Sequence, residues 1–116
     1  MKYSKLNELL DCVKQSISSV QNGFDDYQNK HFPQRSPEFF CLELNGEAGE
    51  LANIEKKRWK GKQISEERFA DEAADVLIAL MNYSNSRKID LAKAVADKLQ
   101  TIENKRLELE IIGESY

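Results

Sequence analysis

The 116 residues predict an all-α protein, a bundle of four to five helices in one domain over residues 1–116, and three observations carry that expectation. Apolar residues recur at helical spacing through most of the chain. Charged residues make up 32% of it while Gly and Pro number only 5 and 2, a composition suited to solvated helices and poor in turns. Helix-start signals stand at Ser36-Pro37, Ser65-Glu66-Glu67 and Asp90, each just ahead of a periodic stretch.

The first helix is expected over about 5–30. At 100° per residue Leu6, Leu9, Leu10, Val13, Ile17 and Val20 fall on one narrow face, which Phe24 and Tyr27 continue beyond Gly23. Pro33 and Pro37 bracket a connector, and a serine cap followed by a first-turn proline starts a second helix over about 37–59, ended by Gly61. Ser65 caps a third over about 66–87, whose acidic first turn complements the helix dipole. Val76, Leu77, Ile78, Leu80 and Met81 cover most of this helix, so it is either central in the bundle or buried against another subunit; a homodimer or homotetramer covers those faces most simply. Asp90 caps a fourth helix over about 90–109, with Leu91, Val95, Ile102 and Leu109 on one stripe, before a frayed tail.

Charge and composition narrow the function. A net charge of −3 argues against a nucleic-acid-coating role, and no apolar run is long enough to span a bilayer, so no membrane partner is expected and the chain reads as cytoplasmic. Cys12 and Cys41 form no C-x-x-C pair, which suits a reducing compartment, and the one histidine, His31, excludes a His-rich metal site.

The chemistry lies in four acids. Glu47 and Glu50 on the second helix, and Glu72 and Asp75 on the third, each form a pair at i, i+3, one turn apart on the same side. Glu47 falls inside the face of Phe40, Leu44, Leu51 and Ile54, and Glu72 lies beside Phe69, Val76 and Leu80; Glu50 and Asp75 sit nearer the edges. Carboxylates buried against apolar neighbours must be protonated, ion-paired or bound to a cation. Acid pairs on solvated faces are commonplace, yet two pairs on consecutive helices, both at the apolar face, favour a metal. An all-oxygen donor set selects a hard cation, Mg²⁺ with Mn²⁺ as a substitute. Gly46, Ala48, Gly49, Ala73 and Ala74 are expected to let the helices approach and to leave room for a ligand. Glu43, one turn before Glu47, is an outer candidate.

Lys98 falls in the middle of the fourth stripe and Lys105 near its edge, each either lying along the core with its ammonium in water or holding a phosphate. Lys57, with Lys56 and Arg58, either extends that phosphate contact or complements the helix dipole. For stacking on a base the candidates are Trp59, Phe32, Phe39, Phe40 and Tyr83, with Trp59 and Phe32 preferred because they lie at a helix end and in a connector; His31 either caps, packs or touches the substrate, and most aromatic residues in such a chain belong to the core.

The stretch Gly46-Glu47-Ala48-Gly49-Glu50-Leu51, followed by Asp71-Glu72-Ala73-Ala74-Asp75-Val76-Leu77, resembles the MazG-like nucleotide pyrophosphohydrolases of the all-α NTP pyrophosphatase superfamily. The likeness runs from about residue 37 to 106 through Lys56-Lys57-Arg58-Trp59 and Asp97-Lys98-Leu99. It implies an oligomeric bundle that cleaves a (deoxy)nucleoside triphosphate to monophosphate and pyrophosphate with Mg²⁺, with Glu47, Glu50, Glu72 and Asp75 as ligands. Glu47 or Glu50 is then the base that takes the proton of a metal-activated water. Ala79 and Ile102 stand where several relatives carry an aromatic residue and an asparagine, which leaves Tyr83 and Asn104 as the substitutes. The rival readings are a non-catalytic interaction or nucleotide-binding module and a phosphoribosyl-ATP pyrophosphohydrolase-like activity; a di-iron bundle is disfavoured because E-x-x-H pairs are absent.

Overall fold

The computed structural model describes residues 4–116, so residues 1–3 of the expected domain lie outside the described residues. Four helices and no strand are present among them: α1 (Lys5–His31), α2 (Pro37–Trp59), α3 (Glu66–Ser86) and α4 (Leu91–Ile111). The expected ends fall within about one turn of these, the usual uncertainty of a frayed terminus.

Capping chemistry explains where the helices begin. Ser36 accepts the Phe39 N–H at 3.3 Å through its hydroxyl, with Pro37 pre-set for the first turn, and Asp90 accepts the Lys93 N–H at 3.1 Å. Ser65 corrects the expectation. Its backbone is extended as a cap requires, but its hydroxyl makes no capping bond, and its carbonyl takes the Arg68 N–H instead. Glu66 and Glu67 therefore carry the electrostatic closure of that end.

Three helices end in the same way. Gly61 at φ +100°, Lys88 at +59° and Gly113 at +78° each turn the chain left-handed just past the last helical turn. In every case two further N–H groups fold back onto carbonyls of that turn: Gly61 and Lys62 onto Arg58 and Lys57, Lys88 and Ile89 onto Asn85 and Ser84, Gly113 and Glu114 onto Glu110 and Leu109. This is the Schellman arrangement, and glycine fills it twice without steric cost. Lys88 occupies the strained position with a β-carbon, a local cost of about 1–2 kcal/mol.

The chain divides into two compact units, residues 4–22 with 90–116, and residues 23–89. In the first, Val13, Ala92 and Ala96 are buried, and the buried Gln21 accepts the Leu91 N–H at 3.1 Å, satisfying a donor at the open end of α4. In the second, α2 and α3 pack on one another, joined by the short 60–65 connector, with Phe40, Ile54, Ala79 and Met81 buried. Ile54 is only 1% exposed.

Several positions of the expected apolar faces stay open on the single chain. Leu9, Val20 and Tyr27 of α1, Ile102 of α4, and Leu77 and Ile78 of α3 are exposed, while Met81 is buried. The all-round apolar character of α3 is therefore only half used within one chain. Cys12 and Cys41 are free, exposed thiols. No helix among the described residues is long and apolar enough to cross a membrane.

Candidate metal centre

Spacing alone places the acids of α2 and α3. Phe40, Glu47 and Ile54 stand at successive seven-residue steps, two helical turns each, and so share a stripe of α2; Phe40 and Ile54 are buried and Glu47 is half-buried between them. On α3 the same step links Glu72 to buried Ala79 and Asp75 to buried Asn82. Packing these two stripes together brings one carboxylate oxygen from each of Glu47, Glu72 and Asp75 within 4.8 Å of the others.

Acids this close raise the cost of ionising Glu47. Glu47 shows it: burial pushes its carboxyl above the ordinary range, and the Asp75 charge, the adjoining Glu72 carboxyl and the Glu50 charge push the same way. Glu72 Oε2 is buried without a hydrogen-bond partner, and the ion pairs among the described residues bring no lysine or arginine to any of the three. On donor chemistry, an all-carboxylate cluster with an orphaned buried oxygen could hold a hard divalent cation such as Mg²⁺ or Mn²⁺.

Glu50 is exposed and stands outside the trio, although its charge still reaches Glu47. Gly46 and Gly49 do not serve close helix approach as expected; a β-carbon at either would meet nothing within 4 Å, so both face open space. Lys57 lies ten residues beyond Glu47, about 15 Å along α2, and is exposed. Lys98, Lys105 and Asn104 belong to α4 in the other unit, all exposed, with Asn104 accepting from Gln100 at 3.1 Å.

The expected base-stacking residues scatter. Trp59 is 81% exposed and borders an open groove with Ala52, Lys56 and Arg58. Tyr83 is half-buried beside Pro37, Cys41 and Arg87. His31 stacks at a tilt on Tyr27, ring centroids 5.1 Å apart, and Phe32 meets Tyr27 edge-on at 5.6 Å. Of these four, Phe32 alone lines a cleft that also holds Glu43, one turn from Glu47, and the remaining candidates, Phe39 and Phe40, line that cleft with it. Asn82, a buried polar residue on the acid-bearing stripe of α3, escaped the sequence reading, although its seven-residue step from Asp75 was there to be seen.

Comparison with protein-family models, with curated proteins and with solved structures returned no match.

The raised Glu47 carboxyl gives a pH prediction for the metal-free protein. Because its folded pKa lies above the unfolded one, the unfolded chain releases the proton first as pH rises, so this group destabilises the fold above the ordinary carboxylate range and is neutral below it. Thermal melts in EDTA should show Glu47→Gln matching the wild type near pH 4 and melting higher than it near pH 7. A constant difference across that range would remove Glu47 from the repulsive cluster.

Proposed function

We propose that the chain is a Mg²⁺-dependent nucleoside triphosphate pyrophosphohydrolase, releasing a nucleoside monophosphate and pyrophosphate. The observation that carries this reading is the convergence of Glu47, Glu72 and Asp75 with one buried oxygen unpartnered. The resemblance of the two acid-bearing segments to the MazG-like enzymes supports the choice of reaction. Glu47, Glu72 and Asp75 would hold the cation, which when bound neutralises phosphate charge and acidifies a coordinated water. Glu50, exposed one turn from Glu47 and outside the trio, is the acid with a free carboxylate to accept that water's proton.

Open space beside Gly46 and Gly49 leaves a polyphosphate room to approach. Lys57 stands too far along α2 to reach the trio from its own helix. The exposed Leu77 and Ile78 on α3 suit burial against a second copy, in a homodimer or homotetramer.

Incubation of the purified chain with a panel of NTPs and dNTPs, with and without Mg²⁺, tests the reading. At least one nucleotide should give monophosphate and pyrophosphate in equal amounts, and only with the metal. Absence of turnover across the panel would leave a nucleotide-binding or interaction module in its place.

A further inference from the structure

Two adjoining hollows open within the 23–89 unit, of about 190 and 260 Å³, and share Gln28, Arg35, Phe40 and Asn82 as common walls. Neither reaches the roughly 300–1,000 Å³ of a pocket that encloses a whole drug-sized ligand, so the cleft suits a ring system rather than an entire nucleotide. Its walls are of two kinds. One part is aromatic and cationic: Phe39 and Phe40 meet edge-on with centroids 5.5 Å apart, and the Arg35 guanidinium lies over the Phe39 ring at 4.8 Å. Aromatic faces and guanidinium planes are the surfaces on which nucleobases stack. The other part is amide-rich, with Gln28, Asn29, Gln34 and Asn85 beside Asn82.

Asn82 is 8% exposed, and its Oδ1 is buried with no hydrogen-bond partner. Buried acceptors are almost always satisfied, so an orphan lining a cleft marks the place of a missing donor. A carboxamide presents an acceptor and a donor side by side, the pattern that the edge of a base complements.

The cleft also lies at the right reach from the acids. Asn82 is two turns beyond Asp75, about 10 Å along the same stripe of α3, with buried Ala79 and exposed Ile78 at the turn between them. Along α2 the wall residue Glu43 is one turn from Glu47. We propose that this cleft seats the nucleobase of the substrate and that Asn82 reads its hydrogen-bonding edge. The inference rests on the nucleotide reading above.

The test is metal-free, so that it stands apart from turnover. Cytidine, uridine, thymidine, adenosine and guanosine are titrated in EDTA against ¹⁵N-labelled protein. At least one should bind and shift the Asn82 side-chain amide. Asn82→Leu, which removes the orphan while keeping volume, should weaken that nucleoside about 10-fold, the worth of one hydrogen bond, and leave the Mn²⁺ affinity of the folded protein unchanged. Binding by the wild type in a chain without turnover would keep the base seat while the pyrophosphohydrolase reading falls. Binding that ignores Asn82→Leu, or shifts confined to residues elsewhere, would overturn the proposal. So would turnover of a nucleotide whose nucleoside leaves Asn82 unmoved.

Discussion

Glu72→Gln is expected to lower Mg²⁺-dependent turnover by about 100-fold or more while the helices stay intact. The magnitude follows from position. Residues that merely orient a metal ligand cost about 10–100-fold when changed, and a direct donor stands closer to the chemistry. Glu72 is the sharpest choice because its Oε2 has no partner within the protein, so the substitution breaks no hydrogen bond of that oxygen. Apo stability should hold or rise, since one of three mutually repelling charges is gone. Asp75→Asn should behave alike, and the double variant should be little worse than either single one, because groups that act as one unit lose their function together. Exposed Asp71 on the same helix supplies the control: Asp71→Asn should keep full activity. Unimpaired turnover in Glu72→Gln would dispose of the cation site, and parallel loss in Asp71→Asn would point to a general electrostatic effect.

How much of this was legible in advance differs by level. Helix limits were readable because they depend on local chemistry: Ser36 and Asp90 cap through their own side chains, and Gly61 takes the left-handed turn that only glycine adopts freely. Lys88 occupies the same position with nothing in its side chain to announce it, since the fold-back of Ile89 onto Ser84 determines the turn. For the acids, periodicity set Glu47 and Glu72 on the apolar faces and both Glu50 and Asp75 toward the edges, but a helical wheel has no axial or facing information. It could not tell that Asp75 would join the trio while Glu50 stood apart, nor that Gly46 and Gly49 would face open space. Which stripes meet depends on α2 packing against α3, a tertiary fact. The same limit hid the cleft, whose walls come from the end of α1, the connector after it, the start of α2 and the end of α3. Spacing located the acids, and the resemblance to a family offered no guide to Asn82.

Ile54→Ala should destabilise the 23–89 unit by about 2–5 kcal/mol, the range for truncating a fully buried branched side chain and leaving a cavity. Ile54→Val should cost about 0.5–1.5 kcal/mol, because one methylene leaves a smaller void. Ile54 stands one seven-residue step from Glu47, so the stripe that buries it also carries the candidate cation ligand. A cavity two turns away removes no donor, and Mg²⁺ should therefore bind the folded variant as it binds the wild type. Mass action then sets the comparison: a cation that binds only the folded form adds RT ln(1 + [L]/Kd) to stability, the same increment in both proteins. Urea melts monitored by far-UV circular dichroism, at several Mg²⁺ concentrations, should give two parallel stability curves separated by the cost of the cavity. Converging curves would mean that the packing around Ile54 and the geometry of Glu47, Glu72 and Asp75 are coupled, with α2 able to shift against α3. Coincident curves would mean that Ile54 holds nothing together. Parallel ones would show a preformed acidic site on a scaffold whose strength and whose cation affinity can be varied separately.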